Sequence, residues 1–144
     1  MSENSAVEYF ITTNARNDAD IISQLGSTLT IDKVPLANQV IYPAVMYNIL
    51  DDFTKDIEVV EGVVILTEYM VEILAVDESN SNALRNIEYR IGYDFHRMFN
   101  VTSVTPYGNI DSCTRGKPVN RMLVDRDNKE WYIKGYLFMI RVRV

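Results

Sequence analysis

Two segments alternate so regularly that they decide what the rest of the chain must do. In "VVILTEYMVEILAV", residues 63–76, Val63, Ile65, Thr67, Tyr69, Val71, Ile73 and Ala75 fall on one side of an extended backbone. Glu68 and Glu72 fall on the other, among Val64, Leu66, Met70 and Leu74. In "WYIKGYLFMIRVRV", residues 131–144, Tyr136, Phe138, Ile140, Val142 and Val144 share one side, and Leu137, Met139, Arg141 and Arg143 the other. Side chains alternate with period two along a strand, so both segments read as long strands with an apolar core face. An apolar sheet face needs a cover, and amphipathic helices are the usual one.

Helical spacing occurs in two places. Over 5–25, Val7, Ile11, Ala15, Ala19 and Ile22 fall near one face, joined by Phe10, Ile21 and Leu25. Ser5 and Glu8 have the spacing of a capping box, Asn17 with Asp20 offers a second cap inside the segment, and Gly26 is placed to close it. Over 77–100, Leu84, Ile87, Ile91, Phe95 and Met98 form an apolar stripe. Gly92 inside that helix costs about 1 kcal/mol relative to alanine unless something packs closely against it.

Between these lie weaker signals. Residues 28–43 read as mostly extended, and 43–50 as a strand that begins at Pro43, where the missing N–H does least harm. The acidic stretch "DDFTKDIEVVEG", residues 51–62, reads as a long loop joining two strands; such loops are usually functional or mobile. Residues 101–130 read as loop-rich, with turns at "TPYGN", "RGKP" and "DRDNKE" and short strands near 108–113 and 118–124. The order is α-β-β-α-β-β. It predicts a single α+β domain over 1–144, a mainly antiparallel sheet with two α-helices on one face.

Few chemistries survive inspection. The 144 residues hold one cysteine, Cys113, and one histidine, His96. No internal disulfide can form, a reducing compartment is favoured, and a Cys/His zinc site is excluded. The first ten residues have no basic or apolar region of a signal peptide, and no apolar run approaches the ~18 residues of a membrane span. Asn100-Val101-Thr102 has the form of a glycosylation sequon but lacks that secretory context. Phosphate-binding glycine loops and a G-x-S-x-G elbow are absent from the sequence. His96 reads as a helix residue, and Cys113 has an arginine nearby but no evident base. Glu68 and Glu72 stand about 13 Å apart along a strand, too far to share acid–base work. They read instead as partners for basic residues across a strand or a subunit boundary. Asp125-Arg126-Asp127-Asn128 lacks the glycine and distal glutamate of a calcium loop and reads as a hairpin turn. The alternation of Tyr132, Lys134 and Tyr136 is the one hint of a base-stacking platform, and it stands against an acidic body. No catalytic, metal or cofactor site is expected.

The charge is unevenly spread. The net charge is -6, yet residues 115–144 carry eight basic residues against three acids, and residues 1–114 six against seventeen. Such a balance disfavours non-specific nucleic-acid binding by the whole surface. It fits a basic C-terminal quarter that pairs with the acidic body, either within one chain or on a neighbouring copy. The candidate interface residues are Glu68, Glu72, Arg141 and Arg143 on the two strands, and Asp51, Asp52, Lys55, Asp56, Glu58 and Glu61 in the acidic stretch.

The organisation resembles the tail terminator (tail completion) proteins of long-tailed bacteriophages. The likeness runs over nearly the whole chain. An opening helix leads to "TIDKVPLANQVIYPAVMYNI", with a strand starting just after a proline. A charged hairpin loop, the strand "VVILTEYMVEILAV" and the helix "NALRNIEYRIGYDFHRMF" come next, and the last strand is "GYLFMIRVRV". The resemblance implies a virion structural protein and not an enzyme. It implies a ring, typically a hexamer, assembled in the host cytoplasm, that caps the tail tube and meets the head-side connector or stopper. DNA would pass through the lumen without specific binding, and no membrane or cofactor is involved. In the family the long hairpin loop, here 51–62, reaches a neighbour or the tube. The alternatives are another neck or connector ring protein, such as a head–tail stopper, or a small dimeric α+β ligand-binding module.

Overall fold

A computed structural model describes residues 3–25, 31–33, 42–96 and 98–143. The elements are helices α1 (Glu3–Arg16), α2 (Ala19–Gln24) and α3 (Asn82–Asp94), and strands β1 (Ile31–Lys33), β2 (Ala44–Ile49), β3 (Lys55–Val60), β4 (Val63–Asp77), β5 (Met98–Thr105), β6 (Gly108–Val124) and β7 (Glu130–Arg143). The sheet runs β1-β2-β4-β7-β6-β5, and β3 also pairs with β4. Every pairing is antiparallel except β1 with β2. The fold is α+β as expected, with two major helices, α1 and α3, packed on one face of a mainly antiparallel sheet.

The alternation of β4 and β7 sorts as read. Tyr69, Val71, Ile73 and Ala75 join Phe138, Ile140 and Val142 under the helices. Phe10 of α1 and Phe138 of β7 both stack on Phe95, with ring centroids 5.6 and 5.7 Å apart, so one aromatic links both helices to the sheet. Such offset and edge contacts add to plain area burial. Ser81 caps α3, accepting from the Leu84 amide at 3.1 Å and donating to Asp77 at 2.7 Å.

The local readings need correction in four segments. The opening helix is two helices. α1 already runs through Ser5, so Ser5 is no N-cap, and Asp18, not Asn17, caps α2 by accepting from the amides of Asp20 and Ile21. Gly26 and most of 28–43 lie outside the described residues. The 51–62 stretch is no long loop. A 3-10 turn at Asp51–Phe53 leads straight into β3, which meets β4 through Glu61 and Gly62. Both turn residues have positive φ, 52° and 76°, as a two-residue type I′ hairpin requires. Helix α3 ends at Asp94, and Met98 already belongs to β5, so the helix does not reach 100. Finally, 108–124 is one strand. "RGKP" is absorbed as a register shift between Arg115 and Pro118. Among the described residues β5 pairs with β6 only as far as Cys113, so Pro118 has no described neighbour on the outer edge to which an N–H is owed.

The sheet also bends onto itself. Gly135 lies so close to β4 that a Cβ there would sit 2.0 Å from the Ile73 carbonyl oxygen. At this corner β6 and β7 curl over the side away from the helices. Ala44, Met46, Leu74 and Val76 form a second buried cluster there, with Tyr42, Val119, Trp131 and Ile133 against it. The centre of β4 is therefore covered on both sides.

Candidate functional site

The charged residues of the back face are held by strand register. Glu68 sits directly opposite Arg141. It is buried, and it accepts from Arg141 Nε at 3.0 Å and lies 3.2 Å from Lys55 Nζ. Glu72 takes its partner from two strands away, because the curl of β6 brings Arg121 to 2.7 Å; Asn48 Nδ2 donates to it at 3.4 Å. Arg143 reaches neither glutamate. It lies 3.3 Å from Asp111 and 3.6 Å from Glu58. Glu78 and Lys129 close the series at 2.6 Å. The basic C-terminal quarter thus pairs with the acidic body inside one chain at Arg121, Lys129, Arg141 and Arg143. Of the acidic stretch, Lys55 and Glu58 join this network. Asp51, Asp52, Asp56 and Glu61 are exposed and make no ion pair among the described residues.

Beyond the double-covered centre, the sheet extends as two ribbons at opposite ends of β4. The β3–β4 ribbon exposes Ile57, Val59, Val60 and Val63, and every residue of β3 is exposed. Residues 51–62 carry five acids and one lysine. The β6–β7 ribbon exposes Met122, Leu123 and Val124. Residues 115–134 carry six basic residues and three acids. Its turn is the hairpin expected at 125–128: Asp125 Oδ1 accepts from the amides of Asp127 and Lys129 at 2.8 and 3.0 Å. Asp125 Oδ2 accepts from Trp131 Nε1 at 3.1 Å, and Lys129 Nζ lies 4.8 Å from the Trp131 ring centre.

The helix layer holds two further features that sequence reasoning missed. Where α2 meets α3, Arg90 Nε donates to Asp18 at 2.8 Å and Arg90 Nη2 to Asp94 at 3.3 Å, with Asp20 at 3.8 Å. Burial, the hydrogen bond to Asp18 and the charge on Asp18 push Asp94 up to about 7 from an ordinary 3.8. Burial also acts to raise Asp18, but hydrogen bonds from Asp94, Arg90 and the Ile21 and Asp20 amides outweigh it and hold Asp18 low. The only sequence signal was the i,i+4 spacing of Arg90 and Asp94; Asp18 is 72 residues away from Arg90.

On the other flank of α3 lies a groove of about 590 Å³ lined by Tyr89, Gly92, Tyr93, His96, Arg115 and Tyr136. Gly92 makes it possible, since a Cβ there would meet the Tyr136 ring at 2.8 Å and Arg115 Nη1 at 3.1 Å. The Arg115 guanidinium lies over the Tyr136 ring, 5.0 Å from its centre. Cys113, two residues away, belongs to the core instead. Burial pushes its thiol up to about 12, far from a reactive thiolate near neutrality. Among the described residues no group of three or more His, Cys, Asp and Glu side chains is placed to hold a metal ion, and no helix is long and apolar enough to cross a membrane.

No family model matches the chain, and no curated protein matches it.

Proposed function

We propose that the chain is a tail terminator subunit of a long-tailed bacteriophage. Copies form a ring, expected to be a hexamer, that caps the tail tube and presents a surface to the head-side connector or stopper. The observation that carries the assembly reading is the pair of ribbons. Each exposes apolar side chains at the tip of a two-stranded extension, Ile57, Val59, Val60 and Val63 on one and Met122, Leu123 and Val124 on the other, and such surface is the usual mark of an interface. One ribbon is acidic and the other basic, and they leave the body at opposite ends of β4. Unlike, complementary patches favour head-to-tail contact, which closes into a ring when the rotation allows it. The phage-tail part of the reading rests on the resemblance in element order. A net charge of -6 suits a ring through which DNA passes without specific binding. The proposed place of action is the virion tail or neck, and no catalytic step is assigned.

Native mass spectrometry and electron microscopy of the purified protein, alone and with tail tubes, test this. A ring of defined copy number is expected. A strict monomer that never joins a tail overturns the reading, and a closed dimer favours the ligand-binding alternative. Cross-linking to tube-side or connector-side partners separates a terminator from a stopper.

A further inference from the structure

The 3-10 turn at Asp51–Phe53 is built unlike a simple connection. Its backbone is fixed: the Leu50 amide donates to Met70 O at 2.9 Å, Phe53 N to Leu50 O at 3.0 Å and Thr54 N to Asp51 O at 3.1 Å. On this rigid knuckle Phe53 is 63% exposed, next to two exposed carboxylates that have no cationic partner among the described residues. The α3 groove has the complementary properties. Tyr89 and Tyr93 are 67% and 64% exposed at its rim. Arg115 forms no ion pair among the described residues; the one hydrogen bond of its guanidinium there is a long donation to the Gly92 carbonyl at 3.5 Å. A site with an aromatic wall and a guanidinium held flat against a ring suits an aromatic side chain beside a carboxylate. A cavity of about 150 Å³ already holds a benzene ring, so the groove has room for both groups.

The knuckle and the groove of one copy do not meet. The knuckle follows β2 on the outer edge of β4, whereas Arg115 and Tyr136 belong to β6 and β7 on the other side of β4. We propose that the Asp51–Phe53 knuckle of one copy seats in the α3 groove of the next. Phe53 packs against the tyrosines, and Asp52 meets Arg115. The inference rests on the ring reading above and names one of its contacts. It joins two different patches, so each copy offers one knuckle and one groove, and a closed ring leaves none unfilled.

The experiment combines sedimentation, native mass spectrometry and cross-linking on the full chain, with and without tail tubes. Phe53→Ala and Arg115→Glu are each expected to weaken self-association at least ~10-fold, the effect of an interface anchor. Exchange of the charges in Asp52→Arg/Arg115→Glu restores association in part. Mild oxidation of Asp51→Cys/Tyr89→Cys gives a covalent ladder that ends at the ring's copy number, and neither single variant does. Rings that form with wild-type affinity in Phe53→Ala and Arg115→Glu, without that ladder, overturn the contact and leave the ring intact. Variants that keep the ring but lose tail-tube binding assign the groove to the tube protein and also overturn it. A wild-type chain that is monomeric both alone and with tubes overturns the contact and the ring together.

Discussion

Val63 and Val71 lie on the same strand, eight residues apart and on the same face, yet Val71 is 0% exposed and Val63 is 60% exposed. The centre of β4 has α3 on one side and the curled β6–β7 pair on the other. Among the described residues its N-terminal end has only β3 beside it, and β3 is exposed throughout. A regular apolar alternation therefore serves two ends in one strand. In the centre it drives folding of the chain. At the tip it contributes little to the fold of the single chain.

The contrast is broken most severely at the corner that gives the centre its second cover. Gly135→Ala drives a Cβ into the Ile73 carbonyl, and no flexible side chain is there to yield. A loss of at least ~3 kcal/mol is expected in urea titration, with much of the protein insoluble. The direct comparison comes next. Val71→Ala is expected to cost about 2 kcal/mol of folding stability, whereas Val63→Ser should change it by less than ~0.5 kcal/mol and act on self-association instead. Equal losses in thermal melts of the two variants would erase the distinction between centre and ribbon.

Arg141 sharpens the boundary between the two regions. Arg141→Ser leaves the buried Glu68 carboxylate with Lys55 alone, a change expected to cost about 1–3 kcal/mol. Arg143 holds the more exposed Glu58 and Asp111, so Arg143→Ser should cost less than Arg141→Ser. The buried Glu68 pair makes Arg141 a folding residue first. A further effect is set by pH at the α2–α3 junction. Asp94 favours its neutral form in the folded state, so the unfolded chain ionises first and stability falls as pH rises from about 3.8 to about 7. Asp18 works in the opposite sense, its contribution lost as pH falls below the ordinary carboxylate range. Thermal stability should therefore be lower at pH 8 than at pH 5.5, and Asp94→Asn should flatten that slope by about 1 kcal/mol.

What was legible in the sequence follows the same division. The faces of β4 and β7, the apolar stripe of α3 and a cross-strand basic partner for Glu68 were readable, because each rests on a buried face or on the alternation of two long strands; which arginine meets Glu68 needed the register. β3 was not. Periodicity reveals a strand only when one face is buried, and "KDIEVV" has none; the Glu61-Gly62 hairpin turn was its one local mark. The unity of β6 is hidden by a glycine and a proline that have the form of a turn but make a register shift in a strand whose outer edge is unpaired there among the described residues. The partners of Glu72 and Arg143 depend on that bulge and on β3, and Asp18 meets Arg90 only through the packing of α2 on α3. None of these follows from spacing along the chain.

The place of the lone tryptophan gives the molecule an optical asymmetry. Trp131 stands at the foot of the basic ribbon, against Tyr42 with ring centroids 4.6 Å apart, bonded to Asp125 and under Lys129. It is remote from the aromatic trio that fills the helix-covered core. Its fluorescence reports the ribbon's foot and its surroundings, while far-ultraviolet circular dichroism reports the sheet and helices. A chain whose emission shifts while its dichroism stays constant has rearranged at the ribbon and kept its fold.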